Sequence, residues 1–215
     1  MRTAIQLVLA FIFSVPALAL AQATATPQQV VEDTSRKVME VLDENRETYR
    51  TDSDAFVQGL DEILNPVVDF NGIANSVMTV RYSRSASEAQ MQRFIQTFKR
   101  SMVQFYGNAL LEFQSGEITV LPPNNREPRP DRASVDMQVK ANDGQIYTAT
   151  YTMTQVDGQW KVRNVIVEGI NIGLLFRDQF AQAMKANRND LDAVIDNWGN
   201  VVAKSRETVK EEAGQ

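Results

Sequence analysis

The side chains that most often move protons or attack carbonyls are absent from this 215-residue chain, which contains no histidine and no cysteine. Ser-His-Asp and Cys-His nucleophilic chemistry is thereby excluded, together with the commonest proton shuttle and zinc ligand. Disulfides and a lipid-modified cysteine are excluded too. Carboxylate chemistry or a hard-metal site remains. The acidic pairs Asp61-Glu62 and Glu211-Glu212 fall on polar helix faces, and Asp131 and Asp136 lack the turn glycine of a calcium loop. No G-x-S-x-G elbow, P-loop, G-x-G-x-x-G or HExxH run occurs. The expectation is a protein with no catalytic residue, no metal and no cofactor. The arginines offer a different chemistry. Arg126, Arg129 and Arg132 sit in a proline-rich loop, Arg81 and Arg84 precede the longest helix, and Arg177 lies inside a later one. Either these are solvated, or they grip an anion, for which a guanidinium beside apolar segments is suited.

Apolar chemistry is more concentrated. Phe94, Phe98, Met102, Phe105 and Tyr106 recur at helical spacing in a segment that opens with the capping box Ser87-Glu88-Ala89-Gln90 and runs to about Phe113. A helix of that length spans about 39 Å and needs a broad surface to lie on. The strands that follow supply one. Glu117–Leu121 reads as a first strand, and Ala133–Lys140, Gln145–Val156 and Trp160–Val167 as three more. Asp157-Gly158 is a tight-hairpin signal, so the last three should form an antiparallel meander. A two-residue turn there pairs Met153 with Val162, Tyr151 with Asn164 and Ala149 with Ile166; a three-residue loop at Asn142–Gly144 pairs Val139 with Tyr147 and Met137 with Ala149. One face then gathers Val135, Met137, Val139, Tyr147, Ala149, Tyr151, Met153, Val162 and Ile166, and the other Thr148, Thr150, Thr152, Lys161 and Arg163. Between that apolar face and the aromatic stripe there is either a packed core or a hollow slot, and periodicity does not distinguish them.

Further helices flank this unit. Thr26-Pro27 opens one that runs to about Tyr49 with Val31, Val38, Val41 and Leu42 on its apolar face. Asp52 or Ser53 caps a second, with Phe56, Val57, Leu60, Ile63 and Leu64, stopped near Asn65-Pro66. A third carries Phe70, Ile73, Ala74, Val77 and Met78. Gly169 and Gly173 suit a tight corner from strand to helix, leading to Leu174, Leu175, Phe176, Phe180 and Met184. Asn189 or Asp190 caps a last helix with Leu191, Val194, Ile195, Trp198 and Val202.

The first 21 residues read as a cleaved signal peptide: a basic start at Arg2, an apolar run from Ala4 to Leu20, and the small-x-small site Ala19-Leu20-Ala21. The run is broken by Ser14 and Pro16 and is too short for a stable membrane span. The mature chain, about 22–215, is expected to be exported and soluble. A net charge of −5, or −6 once Arg2 leaves, gives no long-range attraction for nucleic acid or anionic membranes.

The run Asn65-Pro66-Val67-Val68-Asp69-Phe70-Asn71-Gly72-Ile73-Ala74 resembles the P-x-x-D-F-x-x-I-A element of the toluene-tolerance family, the phospholipid-binding proteins of the Mla type. Gly158-Gln159-Trp160-Lys161-Val162, Val167-Glu168-Gly169 and Phe176-Arg177-Asp178-Gln179-Phe180 are similar to its G-x-W-k-V, i-E-G and y-R-x-q-F signatures. The resemblance implies an α+β fold: a four-stranded antiparallel sheet of the nuclear-transport-factor-like type, wrapped by a long helix, with a helical subdomain at 27–85 and the sheet with its helices at 86–215. It implies a periplasmic, monomeric carrier without enzymatic activity. Its cargo would be a phospholipid shuttled between an outer-membrane lipoprotein-porin complex and an inner-membrane ABC-transporter complex with its substrate-binding component, preserving outer-membrane lipid asymmetry. The expected acyl-tail pocket is lined by Phe94, Phe98, Met102, Phe105, Tyr106, Val135, Met137, Val139, Tyr147, Ala149, Tyr151, Ile166, Ile170, Leu174 and Leu175, with Leu174, Leu175 and Phe176 forming a wall or gate. Two rival readings are an isomerase- or hydratase-like enzyme on the same fold, with Tyr147, Tyr151 or an unrecognised acid as its ionisable group, and a periplasmic chaperone or adaptor for apolar protein surfaces. Five positions depart from the family pattern: Met78-Thr79 stands where Leu-Gly is frequent, Tyr82 for Trp, Asn171 for Ser, and Asn164 for Asp. Asn164, expected on the apolar face where an enzyme would keep its base, cannot take a proton.

Overall fold

The computed structural model describes residues 25–112, 115–123, 129–141 and 144–203, with the side chains of 105–110, 112 and 115–116 left undescribed. The expected signal peptide, Arg126 and the Glu211-Glu212 pair therefore lie outside the described residues.

Local chemistry starts most helices where it was expected to. Thr26 and Gln29 exchange side-chain bonds to each other's backbone N–H (2.9 and 3.2 Å) and open α1, Pro27–Thr51. The Asp52 carboxylate accepts from the N–H groups of Asp54 and Ala55 and opens α2, Ser53–Leu64. Asp69 caps α3, Phe70–Ser83. Ser87 and Gln90 form the reciprocal box of α4, Glu88–Glu112. The strands β1 (Ser115–Val120), β2 (Arg132–Ala141), β3 (Ile146–Val156) and β4 (Gln159–Val167) form an antiparallel meander in chain order. A fifth, two-residue strand, β5 (Ile170–Asn171), follows. Then come α5, Ile172–Ala186, capped by Asn171, and α6, Leu191–Asp196, capped by Asp190, with helical residues continuing at 198–203.

Turn chemistry sets the hairpins. Asp157 and Gly158 both have positive φ (51° and 75°), the two-residue turn whose twist suits a hairpin. Glu168 and Gly169 repeat the device (48° and 81°), so the chain after β4 folds back as a second hairpin rather than a plain strand-to-helix corner. The Glu168 carboxylate accepts bonds from the backbone N–H and the hydroxyl of Thr148, tying this hairpin to β3.

Between β2 and β3 the register is as predicted, with Met137 opposite Ala149 and Val139 opposite Tyr147. Between β3 and β4 it is not. Met153 faces Val162 as expected, but Thr152 then faces Asn164, leaving Arg163 as an extra residue. Two contacts hold this bulge. Val162 bonds outward to the segment before α3, through Val162 N–H to Val67 O (2.8 Å) and Asp69 N–H to Val162 O (3.0 Å). Arg163 reaches the Asp69 carboxylate at 2.7 Å. Gly72 is needed beneath this pair, because a Cβ there would come within 2.1 Å of the guanidinium. Beyond the bulge every side chain changes sides. Tyr151 faces Val165 rather than Asn164, and Ala149 faces Val167 rather than Ile166. The placement of Ile166 and Asn164 on the apolar face is thus corrected: both share the face of Thr150 and Thr152.

A second correction concerns the helix that covers the sheet. It is α1, through Val31 against Val135, Met137 and Met153. The aromatic stripe of α4 turns instead to other helices. Phe94 is fully buried, with ring centroids 5.4 Å from Phe180 and 5.1 Å from Trp198, and Phe98 lies 5.4 Å from Phe176. The far half of α1 joins α2 through a Tyr49–Phe56 stack (4.8 Å) and a Leu42–Leu60–Leu111 cluster.

Candidate functional site

Three of the hollows among the described residues bear on the site, two of them apolar and one polar. The first, about 340 Å³, opens between α2, α4 and the start of α5. Val57, Leu60 and Leu64 come from α2, Phe98, Met102 and Val103 from α4, and Ile172 and Phe176 from one side of α5. Among the described residues its one cation is Lys99, 9% exposed and held by several partners. The ammonium lies 2.6 Å from Asp61, 2.7 Å from the Asn65 side-chain oxygen and 4.1 Å above the centre of the Phe70 ring. A buried ammonium is tolerable only with such compensation, and the cavity beside it stays hydrocarbon-like.

The second, about 290 Å³, lies between α1 and the sheet. Val30, Val38 and Met39 form its roof, and Ile118, Met137, Val139, Tyr151 and Val162 its floor. Leu60, Leu64 and Val68 line both hollows, so the two apolar lobes meet at one ridge made by α2 and the strand-like segment after it. Each lobe is near the lower end of the ~300–1,000 Å³ typical of ligand pockets. Among the described residues that line this second lobe none carries a charge. Its one titratable group is Tyr151, whose phenol is pushed above its usual value by burial; it keeps its proton and is a donor rather than a base.

On the other face of the sheet is a polar hollow of about 350 Å³, lined by Arg132, Arg163 and Arg177 with Asn164 and Asn171. The Asn164 amide donates to the Asn171 side-chain oxygen (3.0 Å) and accepts from Gly173 N–H (2.9 Å), while Asn171 accepts from Leu174 N–H (3.0 Å). The position expected to face the apolar chemistry is a structural clasp for the start of α5.

Phe98 and Met102 line the first lobe and Met137, Val139 and Tyr151 the second, five of the fifteen expected residues. Phe94 is buried among other aromatic rings, and Val135 and Ala149 belong to the packing beneath α1. Tyr147 bonds Gln145. Leu174 is 46% exposed and borders the polar hollow, because Ile172 and Phe176, four apart, take the inward side of α5. Ile166, Ile170 and Leu175 line none of the three hollows. Phe105 and Tyr106 are on α4, but their side chains fall outside the described ones. The residues overlooked come mainly from α1 and α2, whose apolar faces were read as helix packing, with Val67 and Val68 after α2 and Val103, Ile118 and Ile172 besides. Among the described residues, no three acidic groups are placed to hold a metal ion, and no helix is long and apolar enough to cross a membrane.

An α+β chain with two adjoining apolar lobes, one over the antiparallel sheet and one among the helices beside it, has the architecture of a carrier for apolar cargo. Residues 32–200 match the model of the MlaC protein family, and the chain belongs to that family. It is 52% identical over 188 residues to toluene tolerance protein ttg2D of Pseudomonas putida, covering 87% of this chain and 86% of that relative. In fold it is similar, with a TM-score of 0.73, to a phospholipid-binding protein from Ralstonia solanacearum solved in complex with a phospholipid. That match has 19% identity and covers 85% of this chain and 99% of the other.

Proposed function

We propose that this protein is a periplasmic phospholipid carrier that holds acyl tails in the two joined lobes. In this reading it passes lipid between an outer-membrane lipoprotein-porin complex and an inner-membrane ABC-transporter complex, so preserving outer-membrane lipid asymmetry. The observation that carries the reading is the shared ridge of Leu60, Leu64 and Val68, which gives one protein two adjacent greasy lobes with no unpaired charge among the residues described in either. Family membership and the phospholipid held by the structural neighbour support it.

Burial sets the energetics. At roughly 0.8 kcal/mol per methylene, two chains of ordinary length gain about 20 kcal/mol on leaving water. Escape into solvent is negligible, whereas a bilayer buries the same tails about equally well. Transfer therefore needs a docked membrane complex that opens a continuous apolar path. As α2 contributes to both lobes, its displacement widens them together. Organic extraction and mass spectrometry of freshly purified protein tests the reading: phospholipid near or above one per chain is expected, and its absence from folded protein overturns it.

A further inference from the structure

In the lobe beneath α1, hydroxyl groups interrupt an otherwise apolar lining. Tyr151 comes from β3, and Thr34 and Ser35 from α1. Tyr151 stands directly opposite Val135 and diagonal to Met137 on the same sheet face. Ser35 reaches that same spot from above, its hydroxyl donating to the Met137 sulfur at 3.5 Å. A thioether is a weak acceptor, so Ser35 is poorly satisfied. No bond to another protein group engages the Tyr151 hydroxyl among the described residues, and the half-buried side chain lines the lobe, so an incoming acceptor can reach it. If the position asked only for apolar bulk, phenylalanine would supply it.

The complementary ligand group follows from the lining. The Tyr151 proton is uncommitted and Ser35 has only a weak acceptor for its own, so a complementary ligand group is one that accepts. Among the described residues the lobe has no cation, so a phosphate or free carboxylate would be buried without a counter-charge. A neutral acceptor attached to hydrocarbon satisfies both conditions. We infer that Tyr151, assisted by Ser35, is a hydrogen-bond subsite for an ester carbonyl of the cargo, so that this lobe receives an acyl chain together with its linkage to glycerol. The inference rests on the carrier reading above.

Ester-linked and ether-linked phospholipids separate the two ideas, since they share headgroup and hydrocarbon but only the ester has a carbonyl. Delipidated full mature chain would be incubated with vesicles holding equal amounts of the diester and diether forms with matched chains, then repurified and its lipid quantified. The wild-type protein is expected to retain the ester form roughly five- to tenfold over the ether form, the effect of one buried hydrogen bond. Tyr151→Phe should bring that ratio close to one, and Ser35→Ala should lower it partway. A wild-type ratio of one, or an undiminished preference in Tyr151→Phe, overturns the subsite while leaving the carrier intact. No lipid of either kind on the folded wild-type chain overturns the carrier reading itself, and this subsite with it.

Discussion

Two departures from the family pattern show how a single side chain is accommodated. Thr79 has φ 59° and ψ 163°, a region that glycine occupies freely and a β-branched residue does not, and α3 kinks there. The strain resides in the native state, so Thr79→Gly should raise stability by about 1 kcal/mol after its own entropy cost, and Tm by about 2–4 °C; differential scanning calorimetry reads it directly. Asn164 and Asn171 form the second case. With Asp at 164, a carboxylate oxygen would meet the Asn171 oxygen that already accepts from Leu174, and neither has a proton to share. Asn164→Asp should therefore cost about 1–2 kcal/mol. Adding Asn171→Ser should recover most of it, because a serine hydroxyl donates to the carboxylate while its oxygen still caps the helix. Urea midpoints of the two singles and the double would show a coupling of similar size.

Elements were legible wherever adjacent residues specify them. The Asp157-Gly158 turn, the boxes at Thr26 and Ser87 and the β2–β3 register were readable because donor and acceptor lie within a few positions. The bulge at Arg163 was not, since its anchor Asp69 is 94 positions away. Nor could periodicity choose between α1 and α4 as the cover of the sheet, as both carry an apolar stripe. The lobes were half legible for the same reason: Leu60 and Leu64 alternate as any packed helix face does, and only the tertiary arrangement shows that they border a hollow. The α2–α4 seam makes two predictions. Asp61→Ala leaves the Lys99 ammonium with Asn65 and the Phe70 ring alone, and should cost about 2 kcal/mol, less than a fully buried pair because Asp61 is 31% exposed. The loss would appear in urea unfolding, and lipid retention should fall with it as the seam loosens. Met102→Asp places an unpaired carboxylate in the first lobe and should lower co-purifying lipid at least about tenfold, whereas Met102→Leu should not.

At the scale of the whole molecule, composition controls the response to pH. Without histidine the chain lacks the side chain that ordinarily titrates near neutrality, so unfolding free energy should be nearly flat from about pH 6 to 9. Burial raises Tyr151, and mainly burial raises Tyr49, above the unfolded value near 10. Their contribution is thus fully present below about pH 10 and is lost as pH climbs through the folded values. Urea midpoints at pH 7, 9 and 10.5 should show a drop only at the last, smaller in Tyr151→Phe. The bulge has a consequence on the same scale. Were Arg163 drawn into regular pairing with Thr152, the remainder of β4 would slide by one place, pressing a carboxamide into oil and turning Val165 out to the water. One surplus amino acid thus keeps the wet and the greasy sides of this molecule from trading places.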